Sequence, residues 1–125
     1  MSYDDLAPVP YEYATVVRPG SLVFTAGACP LDQAGVVVAP GDHLAQARQA
    51  IENLLAVLDH HRAGPEHLVR TTIYVVGDRA DLSVVWGVVA GRLAPHRPPS
   101  SLIGVSVLGY ADQLVEIDGL AAIPS

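Results

Sequence analysis

The chain changes its hydrophobic rhythm several times, and each change marks an element. Tyr13 to Val17 and Leu22 to Ala26 read as two short strands around the turn signal Pro19-Gly20. A loop from Gly27 to Asp32 follows, and Val36 to Val38 offer an optional third strand before Pro40-Gly41. Apolar positions then fall at Leu44, Ala47, Ile51, Leu54, Leu55 and Leu58, the spacing of one helix face. Asp42 supplies an acceptor for the first turn, and Gly64-Pro65 ends the segment. Leu68 to Val76, rich in Val, Thr, Ile and Tyr, predicts a strand. From Ala80 to Leu93, Val84, Val85, Val88 and Val89 return to helical spacing behind Asp78, and Pro95, Pro98 and Pro99 stop this second helix. Ser101 to Val107 and Leu114 to Ala122 are the last two strands.

The order is therefore β-β-(β)-α-β-α-β-β in a single domain, residues 1–125, with residues 1–10 as a loose N-terminal arm. Strands and helices interleave without strict alternation, which predicts an α+β fold with one mixed sheet packed by two helices. Two helices cover one sheet face. The other face also looks apolar, because Val69, Thr71, Ile73 and Val75 alternate with Leu68, Thr72, Tyr74 and Val76. A sheet apolar on both sides in so small a domain predicts self-association. Farther on, Ser100, Leu102, Gly104 and Ser106 share one face, leaving room beside them. Ser101, Ile103, Val105 and Val107 share the other, expected to be core.

Composition narrows the partners. Net charge is −6, and the seven basic residues, all arginine, form no run. Nucleic-acid binding relies on clustered positive charge, so none is expected. Half of the residues are hydrophobic and the mean hydropathy is +0.34, yet no apolar run approaches the length of a membrane span. The opening MSYDDLAP is acidic and does not resemble a secretory leader, so a cytoplasmic location is expected.

Cys29 is the lone cysteine, which excludes an intrachain disulfide, and an inert buried thiol is its expected role. His43, His60, His61, His67 and His96 are scattered at no zinc-site spacing and are expected on the surface. Neither Ser100 nor Ser101 sits in a G-x-S-x-G elbow, and no glycine-rich phosphate loop is present. Glu116, in LVEID, shares a strand face with Leu114 and Asp118, opposite Val115 and Ile117. A carboxylate among apolar neighbours suits proton transfer, and equally suits a strand face turned to solvent.

Three stretches carry a resemblance: PYEYATVVRPGSLVFTAGACPLD, HLAQARQAIENLLAVLDHHRAGPEHLVRTTIYV and PPSSLIGVSVLGYADQLVEIDGLA. From about Pro10 to Ile123 the chain resembles the Rid (YjgF-type) family of enamine and imine deaminases. The resemblance implies a chorismate-mutase-like fold, a homotrimer with sheets facing inward, and a small-molecule ligand in each cleft between subunits, with no cofactor and no metal. It also implies hydrolysis of imines such as those formed from 2-aminoacrylate. Carried over residue by residue, Glu116 takes the place of the catalytic glutamate, Tyr11 that of a cleft tyrosine, and Gly27 that of the glycine after the second strand.

Other positions depart from the family pattern. Ala26 stands in place of a serine, Trp86 of an asparagine and Leu102 of a frequent cysteine. Ser100 stands where the family's P-x-R-S motif has the arginine that grips a substrate carboxylate. Guanidinium makes two charge-assisted bonds to a carboxylate and a hydroxyl one neutral bond. The cleft is therefore expected to prefer a neutral or larger apolar ligand, with Trp86 and Leu102 supplying surface. Arg97, across the two prolines, and Arg70, on an unassigned strand face, are the two candidates to replace the missing cation. Two functions follow: a hydrolase or deaminase on a labile intermediate, or a non-catalytic trimer that binds a metabolite or partner.

Overall fold

A computed structural model describes residues 1–17 and 20–124; Pro19, half of the expected turn signal, lies outside them. Four strands, β1 (Gly20–Phe24), β2 (Leu68–Val76), β3 (Ser100–Val105) and β4 (Val115–Pro124), form one sheet in the order β1-β4-β2-β3. β4 runs antiparallel to β1 and β2, and β3 runs parallel to β2, so the sheet is mixed as expected. The parallel pair needs a crossover, and α2 (Arg79–Leu93) supplies it. α1 (His43–His60) packs beside α2 on the same face, which makes the fold α+β.

Both helices begin as their caps dictate. Asp42 accepts from the Ala45 amide, and Asp78 and Asp81 exchange bonds with each other's backbone in a capping box. α1 ends sooner than Gly64-Pro65 suggests, because Arg62 adopts left-handed backbone (φ 62°) and the Ala63 amide turns back to the Leu58 carbonyl. The core lies between helices and sheet, with Ile51, Leu54 and Leu58 from α1, Val85 and Val89 from α2, Ile73 and Val75 from β2, and Val115 and Ile117 from β4.

Four expectations need correction. Tyr13–Val17 is not a strand, and Val36–Val38 reduces to one bridge between Leu31 and Val37. The alternation in β2 breaks at a bulge between Leu68 and Arg70, which turns Leu68 into the core beside Thr71 instead of away from it. In β3 the face assignment is inverted. Ser100 meets the buried Thr71 side chain and Gly104 faces Leu82 of α2, so Ser100 and Leu102 point to the helix side. Ile103 sits on the open side and is 40 % exposed.

The open face carries Leu22 and Phe24, the latter 74 % exposed, together with Leu120, Tyr74 and Ile103. That is the second apolar face expected from the strand pattern. The N-terminal arm is held down: the Arg97 guanidinium donates to the Val9 carbonyl, the Glu12 amide to the Arg97 carbonyl, and the Tyr13 hydroxyl to the Ala7 carbonyl. No helix among the described residues is long and apolar enough to cross a membrane.

Candidate functional site

Glu116 is placed by its neighbours in β4. Val115 and Ile117 are fully buried against the helices, so alternation puts the carboxylate on the open face, half-buried, opposite Tyr74 of β2. The segment after β1 continues along β4: Ala28 exchanges two backbone bonds with Ile117, which places Gly27 and Cys29 on either side of Glu116. A Cβ on Gly27 would lie 2.5 Å from the Glu116 carboxylate, so only glycine leaves room for it. The Cys29 thiol and the Gln113 amide both donate to Glu116 Oε1, each at 3.4 Å. No protein donor meets Oε2 among the described residues, which leaves that oxygen without a partner there. Burial, then the bond to and charge of Glu116, push the Cys29 thiol above its ordinary range, so it stays a protonated donor at neutral pH.

Helix α1 fixes both flanks of this carboxylate. Asn53 donates to the carbonyls of Cys29 and Leu31. Gln46, fully buried, donates to the Asp112 carbonyl and accepts from the Leu114 amide, which sets the turn that carries Gln113. Sequence reasoning passed over Gln46, Asn53 and Gln113, and treated Cys29 as inert. The one signal was two amides inside a helix whose face is otherwise apolar.

The other expected site residues assemble elsewhere. Tyr11, Trp86, Ser100 and Leu102 line an open cleft of about 470 Å³ beside the edge strand β3. The rings of Tyr11 and Trp86 meet edge to face at 6.2 Å. The Ser100 hydroxyl donates to the Pro98 carbonyl and lies 2.5 Å from the Thr71 hydroxyl, which supplies the proton of that second contact. Ser100 therefore has no proton left for a ligand. Arg97 is occupied by the arm, and Arg70 lies on the open face with its guanidinium 3.4 Å from the Ser101 hydroxyl. Neither lines this cleft. Ala26 is exposed and lines a shallow depression with Gly27, Cys29 and Tyr110, beside the Glu116 group and away from the aromatic cleft. His43 and His67 are half-buried rather than exposed: His43 Nε2 lies 2.7 Å from the Val76 carbonyl, and His67 Nδ1 accepts from the Gly64 amide.

The two groups cannot meet within one chain. Glu116 and Ser100 point to opposite faces of the sheet. In register they are two strands and three residues apart, roughly 14 Å at ordinary strand spacings.

The sequence pattern of the family described as Endoribonuclease L-PSP matches residues 5–123. The chain belongs to the Rid (YjgF/L-PSP) family. Among its relatives, Protein DfrA of Myxococcus xanthus is 37 % identical over 125 residues, covering 95 % of this chain and 92 % of that one. A 2-iminobutanoate/2-iminopropanoate deaminase of Salmonella typhimurium is 32 % identical over 112 residues, covering 87 % and 85 %. The crystal structure of the Rid family protein YyfB from Yersinia pestis superposes with a TM-score of 0.90 at 29 % identity, covering 98 % and 96 %. These likenesses agree with the chorismate-mutase-like fold expected of a Rid protein and with a broadly deaminase- or hydrolase-like role.

Proposed function

We propose that the protein is a small-molecule hydrolase of the deaminase kind, acting on an imine, enamine or similar labile intermediate in a cleft shared between subunits of a homotrimer. The observation that carries this reading is the placement of the two half-sites. Glu116 with its free Oε2 stands on the open face, and the aromatic cleft of Tyr11, Trp86 and Leu102 stands at the edge of the other. An imine of a few atoms touches both only if a second copy brings its cleft to this carboxylate. The exposed Leu22, Phe24 and Ile103 give the open face a reason to be covered.

In this arrangement Oε2 of Glu116 takes a proton from water as the water oxygen attacks the imine carbon, and returns that proton to the imine nitrogen. The carbinolamine that forms passes a hydroxyl proton on to nitrogen, the C–N bond breaks, and the products are a carbonyl compound and ammonia. Cys29 and Gln113 hold Oε1, which fixes the direction of Oε2. Ser100 offers no cation and no free proton, so substrates of the 2-aminoacrylate type, with their carboxylate, are disfavoured and neutral or apolar ones preferred. The deaminase relative supports the reaction class. The ribonuclease in the family description fits this chain less well, because its acidic balance and scattered arginines give RNA no basic track.

The test is ammonia release from a panel of neutral and carboxylate-bearing imines by the wild type and Glu116→Gln. The expected result is turnover of neutral imines that falls by at least about a hundredfold in the variant. Equal rates on every substrate turned over would remove Glu116 from the mechanism. A ligand held in the cleft and never consumed would make the protein a binding module instead.

A further inference from the structure

Below the aromatic cleft lies a narrower cavity of about 140 Å³. The two spaces meet at Pro10, Trp86 and Ser100, which border both. Val89, Ala90 and Leu93 of α2 face the cavity from the other side. Some of its polar neighbours are already engaged. The Arg97 guanidinium is bound to the Val9 carbonyl, Ser100 to Pro98 and Thr71, and the His96 amide to the Leu93 carbonyl. Among the described residues no buried side-chain nitrogen or oxygen lacks a partner. An occupant therefore meets mostly apolar surface, from Pro10, Trp86, Val89, Leu93, Pro95 and Pro98. An apolar cavity of about 150 Å³ accommodates benzene, so this one holds a group of roughly four to six carbons.

We infer that this cavity is the subsite for the apolar side chain of the substrate, which makes the ligand class a neutral imine carrying a short aliphatic or phenyl group. The inference rests on reading the cleft as the substrate site. The cleft holds the reacting end and the cavity the tail, with the ligand passing between them at the border formed by Pro10, Trp86 and Ser100. Selectivity comes from size: affinity rises about fourfold for each methylene buried until the cavity is full, then falls. Position 90 sets the limit, because a larger side chain there occupies the same space.

Toluene is the probe, with the indole N–H resonance of Trp86, the chain's one tryptophan, as the reporter. Wild type is expected to show a saturable shift with toluene and at least tenfold weaker binding of 1-methylnaphthalene. Ala90→Leu is expected to weaken toluene binding at least tenfold. Should that variant fail to fold, the preference of the wild type for toluene over the larger ring still decides. Glu116→Gln binds toluene as the wild type does, so loss of ammonia release in that variant and loss of toluene binding in Ala90→Leu are separate outcomes. No saturable response in the wild type, equal binding of both hydrocarbons, or equal binding in a folded Ala90→Leu would overturn the inference.

Discussion

The thiol of Cys29 donates to Oε1 of Glu116 across 3.4 Å. Eighty-seven residues of sequence separate the two, and a bridge between Ala28 and Ile117 brings them side by side. The thiol is held protonated first by burial and then by the carboxylate next to it. Alkylation of Cys29 by iodoacetamide should therefore titrate above the ordinary thiol range. In Glu116→Gln the midpoint moves down, because the negative charge is gone, but it stays raised because burial remains. A midpoint unchanged by the substitution would deny the contact.

Gly27 leaves the space that the Glu116 carboxylate occupies. Gly27→Ala puts a methyl group 2.5 Å from that carboxylate and must push it off its two donors. Ammonia release should fall at least about tenfold, as expected when a positioned base is displaced. The melting temperature should change little, since the carboxylate can swing into the open space of the shared cleft. Equal loss of stability and activity would show the site itself to be intact and the fold at fault.

In the proposed site Ser100 stands in place of a cation. Ser100→Arg, paired with Thr71→Val to remove the hydroxyl left without its partner, restores a two-pronged donor. With each charge-assisted bond worth roughly 1.5–3 kcal/mol, the kcat/KM for 2-iminopropanoate should rise by at least about tenfold relative to neutral imines. An unchanged ratio of the two substrate classes would mean that position 100 does not face the substrate.

Much of the fold was legible in the sequence because the signals were local. Asp42 and Asp78 announced both helices, and the nine residues of β2 match their expected span without a shift. The misses came from tertiary choices. Tyr13–Val17 has strand composition, but the arm is held by Arg97 rather than by a ladder. In β3 the more apolar set belongs to the core by composition, yet this edge strand turns Ile103 to the open face, where it is 40 % exposed. Glu116 and Ser100 were readable one by one through the family pattern. Their separation onto opposite faces was not, because parity along a strand orders residues without saying which face the helices take. The supports Gln46, Asn53 and Gln113 act over long sequence distances and leave no local trace.

The claim on which the rest stands is that each site is built by two subunits, and mixing tests it directly. Glu116→Gln lacks the base and Trp86→Ala lacks the cleft wall, so each homogeneous protein should release little ammonia. Unfolded together in equal amounts and refolded, they should form hybrids in which about one quarter of the sites pair an intact Glu116 with an intact Trp86 from the neighbouring copy. Recovery of about that fraction of wild-type ammonia release is the predicted result. A refolded mixture no more active than the two variants measured apart would contradict a shared site.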